Sequence, residues 1–164
     1  MVHLTLEEPM SAQDDRAHAD KYVEGDLLAV LYRQHADITE ALDRVSDSKG
    51  EERSENFAAA KSFMTRHEAA EQKIVRPIVE QAGNANEAAE RNAEEFQADE
   101  AIAALSALDV DSDEFDTQFA TFKQAVTDHA EAEETNEFPI IEKAHSEEQR
   151  IALGQQFLQA QAGS

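Results

Sequence analysis

The chain has 164 residues, no cysteine and a net charge of −22, with 36 acidic residues against 14 basic ones. That length allows one domain with a sizeable core, and the charge sets the protein against nucleic acid and anionic membrane surfaces. Without cysteine there are no disulfides, thiolate metal sites or cysteine nucleophiles, which fits a cytoplasmic location.

No apolar run approaches the roughly 18 residues of a membrane-spanning helix. The start lacks a basic segment followed by an apolar one, so no secretory signal is expected. With only 5 glycines and 3 prolines, and with Ala, Glu, Gln and Asp abundant, the composition favours an all-α fold.

Residues 1–24 read as a loose, polar N-terminal arm with Pro9 and a short helix over 12–22. His3 and His18 lie there and are expected to face solvent. The rest, 25–162, reads as one helical bundle. Its first long helix starts at Asp26, a good N-cap after Gly25, and runs to about Ser46. Leu28, Leu31, His35, Ile38, Leu42 and Val45 form its buried stripe, at the spacing of a core-facing helix. A polar break, Ser46 to Gly50, leads to a second helix over about 51–82, which Pro77 should kink and Gly83-Asn84 should end. The third helix, about 85–108, carries the stripe Ala88, Asn92, Glu95, Asp99, Ile102 and Leu105. After a turn at Asp109–Asp113, where Asp111 and Glu114 suggest a capping box, the fourth helix spans about 113–144. Ser146 and Gln149 signal a second capping box, opening a last helix over about 147–161 whose Ile151, Phe157 and Leu158 can cover the bundle end. His145, just before it, reads as structural or exposed.

The chain writes one segment twice. HEAAEQKIVRPI, from His67, and HAEAEETNEFPI, from His129, each place a glutamate four residues after the histidine, a proline ten after it, and then an isoleucine. On a helix, positions i and i+4 share a face, so His67 with Glu71 and His129 with Glu133 are two His–Glu pairs. Both fall inside buried stripes: Ala60, Met64, His67, Glu71, Ile74 and Ile78 in the first copy; Phe115, Phe119, Phe122, Val126, His129, Glu133 and Ile140 in the second. An isolated HxxxE on a helix is commonly a solvated pair. Here the carboxylates are aimed into a core, where charges pair with one another or coordinate a metal. His35, Glu95 and Asp99 stand at core spacing on the other two helices. Four long helices with short links make an up-down-up-down bundle, which can bring His35, His67, Glu71, Glu95, Asp99, His129 and Glu133 to one level. Imidazole with hard oxygen ligands suits iron, manganese or zinc, and a carboxylate from each repeat could bridge two metals.

These residues resemble the hemerythrin family, the HHE cation-binding domains. The resemblance covers about 26–160 and rests on the lone histidine in YRQHADITEALDRV, on the two HxxxE-x5-P segments and on the spacing between them. It implies a four-helix bundle with a non-haem di-iron site, two irons joined by an oxo or hydroxo bridge. His35, His67, Glu71, His129 and Glu133 would be ligands, with Glu71 and Glu133 bridging. The third helix departs from the pattern. In EFQAD, Glu95 stands where a histidine is expected and Asp99 where the acid is expected. Oxygen-carrying members use five histidines, and three are available here. Fewer imidazoles and more anionic oxygens disfavour reversible oxygen carriage and suit a centre that reacts with its ligand.

Three functions stay in competition. The first is a metal protein that binds or senses oxygen, peroxide, nitric oxide or iron itself. The second is an enzyme at the same site, consuming peroxide or oxidising ferrous iron. The third is a degenerate bundle with one metal or none, acting as a structural or interaction module. The expected partner is a small diatomic ligand or peroxide, with no nucleic acid and no membrane, and the chain a monomer or weak dimer. No Gly-rich phosphate loop and no Ser-His-Asp arrangement competes with this reading.

Overall fold

The computed structural model describes residues 11–163, and every regular element within them is helical. In chain order these are α1 (Ala12–Ala19), α2 (Leu27–Asp47), α3 (Gly50–Ala70), a π-helical turn (Glu71–Val75), α4 (Arg76–Gln81), α5 (Ala85–Ser106), α6 (Asp113–Asn136), α7 (Phe138–Ala144) and α8 (Glu147–Ala162). No described helix is long and apolar enough to cross a membrane.

Two apolar clusters form the core, and a polar layer separates them. One cluster gathers Leu28, Leu31, Val75, Val79, Ala88, Phe138, Ile141 and Phe157. The other gathers Ile38, Leu42, Val45, Phe57, Met64, Ile102, Leu105, Phe115, Phe119 and Phe122. Helix α2 starts in the first and ends in the second; α3 runs the other way, α5 repeats the course of α2, and α6 with α7 repeats that of α3. Each therefore crosses the polar layer mid-way, at His35, at His67 and Glu71, at Glu95, and at His129 and Glu133. The stripe expected on α2 is buried throughout. On α5 it holds at Ala88, Glu95, Ile102 and Leu105, but Asp99 is exposed.

Local chemistry sets the helix ends. The Asp26 side chain accepts from Leu28 N at 2.9 Å and holds Arg150 Nε of α8 at 2.9 Å, so the cap of α2 is also the anchor of α8. Gly25, with φ of +88°, makes the turn before it. Helix α8 crosses this turn closely: a Cβ on Gly154 would lie 2.0 Å from the Gly25 carbonyl oxygen. The box at Ser146 and Gln149 forms in both directions, at 2.9 and 3.2 Å.

Four expectations are corrected. The cap of α6 is Ser112, whose hydroxyl accepts from Phe115 N, while Asp111 instead accepts from Gly50 N. Leu158 faces outward, and Phe157 alone of that pair enters the core. From Ser11 the arm is not loose. Its helix is shorter than 12–22, and it packs on α2 through Ala19 and the buried Asp15, with Arg16 bridging Asp37 and Glu40 at 2.9 Å each. His18 is half-buried, its ring stacked on Tyr32 at 5.2 Å; His3 lies outside the described residues.

Proline acts on both repeats. Pro77 has no N–H to give the carbonyl four residues back. The helix widens to a π turn immediately before it, and Arg76 N–H reaches back to Glu71 O. In the second copy the helix breaks at Glu137, and Pro139 sits in the first turn of α7.

Candidate metal centre

Six side chains from four helices converge between the two clusters. His35, His67, Glu71 and Glu133 form one group, and Glu71, Glu95, His129 and Glu133 form a second; the candidate ligand atoms in each lie within 4.8 Å of one another. Glu71 and Glu133 belong to both. Glu71 and Glu95 are fully buried, and Glu133 is 1 % exposed.

The three imidazoles share one orientation. Two tie Nδ1 to an outer acceptor, Gln34 Oε1 at 2.8 Å from His67 and Glu94 Oε1 at 2.9 Å from His129; His35 Nδ1 faces Glu134 Oε1 at 3.4 Å, an ion-pair contact without an aligned hydrogen bond. Each turns Nε2 inward: His67 to Glu71 Oε1 at 2.7 Å, His35 to Glu133 Oε1 at 3.4 Å, and His129 to Glu133 Oε1 and Glu95 Oε2 at 3.3 and 3.4 Å. Metal-ligating histidines are held this way, with the far N–H given to an acceptor that fixes the tautomer. Gln34 is itself fixed, exchanging amide hydrogen bonds with Gln161 of α8 at 2.7 Å.

The electrostatics are those of acids crowded out of water. Burial, and then the charge of Glu133, raises Glu71 well above the ordinary carboxyl range. His67 is driven down to about 3 by burial and by the neighbouring His35. His67, with Nδ1 on Gln34, turns Nε2 to Glu71 Oε1 at 2.7 Å. Burial pulls His35 down, but hydrogen bonds to Glu133 and Glu134 lift it to about 10. His129 goes to about 9: burial is overcome by the charge of Glu133 and the bond to Glu95. Burial also opposes ionisation of Glu133, yet His129, Glu71, His35 and Arg76 hold it well below the usual range. Several inward atoms still make no well-aligned hydrogen bond, among them His35 Nε2, Glu71 Oε2, Glu95 Oε2, His129 Nε2 and Glu133 Oε1. Native cores satisfy such atoms, and a cation between them would do so here. The donor set of imidazole nitrogens and carboxylate oxygens fits a first-row cation.

Five residues matter that the repeat pattern does not mark. Arg76 is 1 % exposed and lies among the acids, with Glu137 at 2.8 Å, Glu133 at 2.9 Å, Glu95 at 3.1 Å and Glu71 at 3.8 Å. The π turn puts it there. In an unbroken α-helix residue 75 would share the face of Glu71; one extra residue per turn moves that place to 76. The signal in the sequence is an arginine before the proline of the first copy, where the second has Phe138. Glu137, fully buried, is raised to about 8 by burial despite that guanidinium. Glu134, behind His35, meets Asp15 of α1, whose carboxyl goes to about 9 through burial and the bond to Glu134. Gln34 completes the five. Asp99 joins neither group; it lies beside Glu68, which burial and Asp99 lift to about 9.

A cavity of about 500 Å³ opens off the centre. Ile38, Leu42, Met64, Ala98, Phe122 and Val126 supply much of its wall, and His35, His67 and His129 its polar end.

A family model, the hemerythrin HHE cation binding domain, matches residues 26–141, well over half of the chain. The chain belongs to the hemerythrin family. The matched span contains every member of both ligand groups. No curated protein and no solved structure matches the chain. The family is a cation-binding one, and these His and Glu groups are side chains that could hold a cation.

Proposed function

We propose that this hemerythrin-family chain is an iron protein whose centre binds, senses or reacts with oxygen, peroxide or nitric oxide. The observation that carries the reading is the common pose of the three imidazoles, Nδ1 turned outward and Nε2 turned inward onto shared carboxylates. His35 and His67 would serve one iron and His129 with Glu95 the other, with Glu71 and Glu133 common to both. Manganese or zinc suits the same donors. The frame is read as an up-down-up-down bundle, supported by the alternating courses of α2, α3, α5 and α6.

Iron held here supplies the site for binding and redox chemistry of a small ligand. The chain does the rest. Gln34 and Glu94 hold Nδ1 of His67 and His129, and Glu134 stands behind His35. Glu71 keeps a proton in the metal-free protein and releases it when a cation takes its oxygens. The apolar cavity admits a small uncharged ligand and limits water beside it. A second reading, a bundle with a reduced site, draws on Arg76, which already neutralises part of the acidic layer.

The test is anaerobic loading with ferrous iron, removal of loose metal, and elemental analysis of the wild type beside His67→Ala and Glu133→Ala. The wild type should retain at least one iron per chain and both variants should lose it. A wild type that retains none refutes the metal reading and leaves the reduced bundle.

A further inference from the structure

We propose that Arg76 contests the second cation position, so that the centre binds one metal tightly and a second only by displacing this guanidinium. The proposal rests on the cation-binding reading above and deepens it. The two shared carboxylates divide their oxygens unequally. Glu71 presents Oε1 to His67 at 2.7 Å and Glu133 presents Oε1 to His35 at 3.4 Å. Glu133 Oε1 also meets His129 Nε2 of the second group at 3.3 Å, and Arg76 approaches neither of these two oxygens. The opposite oxygens face Arg76: Glu71 Oε2 at 3.8 Å from Nη1, and Glu133 Oε2 at 2.9 Å from Nη2. Nη2 also takes Glu95 Oε2 at 3.1 Å, the oxygen that meets His129 Nε2 at 3.4 Å. A bridging carboxylate gives one oxygen to each metal. Arg76 stands against three oxygens on the second metal's side, Glu71 Oε2, Glu95 Oε2 and Glu133 Oε2, and leaves Glu133 Oε1 facing His129.

The arginine also has somewhere to go. Glu137 already binds Nη1 through Oε1 at 2.8 Å, and its Oε2 is buried without a hydrogen bond. Rotation toward Glu137 would free the other three carboxylates while keeping the guanidinium paired. A cation in the second group then feels a like charge at close range, which lowers its affinity relative to the first. Both positions are built from the same two glutamates, yet one is open and the other is guarded by a side chain from the same repeat.

The experiment is a cobalt(II) titration of metal-free protein, followed by calorimetry and by the visible absorption of bound cobalt, with stoichiometry checked by elemental analysis. Wild type, Arg76→Gln and Arg76→Lys are compared. Wild type should bind one cobalt tightly and the second at least about tenfold more weakly, and Arg76→Gln should tighten the second step by about tenfold or more. Arg76→Lys keeps the buried charge, and with it the fold, but an ammonium cannot span the same oxygens, so its second step should fall between the other two. Equal affinities for two cobalts in wild type overturn the proposal. So does a second step that neither variant tightens, with the first intact. No cobalt on wild type overturns the metal reading itself and this one with it.

Discussion

Replacing Arg76 with methionine tests the electrostatic account of the metal-free centre. The side chain is 1 % exposed and within 3.8 Å of four carboxylates, of which Glu71, Glu95 and Glu137 are fully buried and Glu133 is 1 % exposed. Methionine matches the volume approximately, so the loss is one of charge rather than packing. Removing one partner of a buried ion pair costs about 3–5 kcal/mol. For a chain of this size 1 kcal/mol moves the melting temperature by about 2–4 °C, so the metal-free variant should melt roughly 6–20 °C lower at pH 8. The loss should shrink at pH 6, because Glu137, raised to about 8 by burial, can then take up a proton. Calorimetry in chelator at both pH values reads this directly, and Arg76→Met with Glu137→Gln should recover part of the deficit. An unchanged or higher melting temperature at pH 8 would falsify the view that this guanidinium neutralises the layer.

Metal-free wild type should also lose stability as pH rises from 6.5 to 10. His35 and His129, raised to about 10 and 9, contribute below 6.5 and lose that contribution through those values. Glu137, Glu68 and Asp15, raised to about 8, 9 and 9, keep protons that the unfolded chain has already released, which gives the same sign. His67, Glu133 and Glu134 are lowered and act below 6.5, so they do not offset the decline. Melting curves across this range that rise instead would refute the assignment. Gly154→Ala should cost about 1–3 kcal/mol in chemical denaturation, because its Cβ meets the Gly25 carbonyl at 2.0 Å; a neutral effect would mean that α8 shifts freely. Glu134→Leu should weaken metal binding by about 10–100-fold while the fold is kept, since it removes the carboxylate behind His35 Nδ1; unchanged affinity in a cobalt titration would make Glu134 a bystander.

The bundle and most of its centre are legible in the sequence because both obey helical period. His35, His67, Glu71, His129 and Glu133 stand at core spacing, and the structure buries four of them and half-buries His129. Glu95 follows the same rule and is fully buried. Asp99 obeys the spacing and is nonetheless exposed, although Glu95 before it and Ile102 after it are buried: periodicity places a residue near a face, but only the neighbouring elements decide whether that point on it is covered. Arg76 lies beyond any period-based reading, because the π turn shifts the register by one residue just before it. Asp15 and Gln34 are illegible for another reason. Each acts through a residue far away in the chain, Glu134 or His67, and such pairs are fixed by packing and not by local spacing.

The two copies of the repeat share their ligand spacing and divide their remaining work at one position. Nine residues after the histidine, the first has Arg76 and the second Phe138. Both are buried, and both follow a helix irregularity that proline imposes. Phe138 stacks on the His35 ring at 5.5 Å and meets Tyr32 edge-on at 4.9 Å, giving the imidazole-rich half an apolar wall. Arg76 enters the carboxylate-rich half, where an apolar residue would leave Glu95, Glu133 and Glu137 facing one another without a counter-charge. The third helix supplies the reason for the difference. Glu95 stands where the resemblance leads one to expect a histidine, so the layer holds one more carboxylate, and the buried Arg76 meets it at 3.1 Å. The arginine and the missing histidine are then one feature of this chain, seen from two helices.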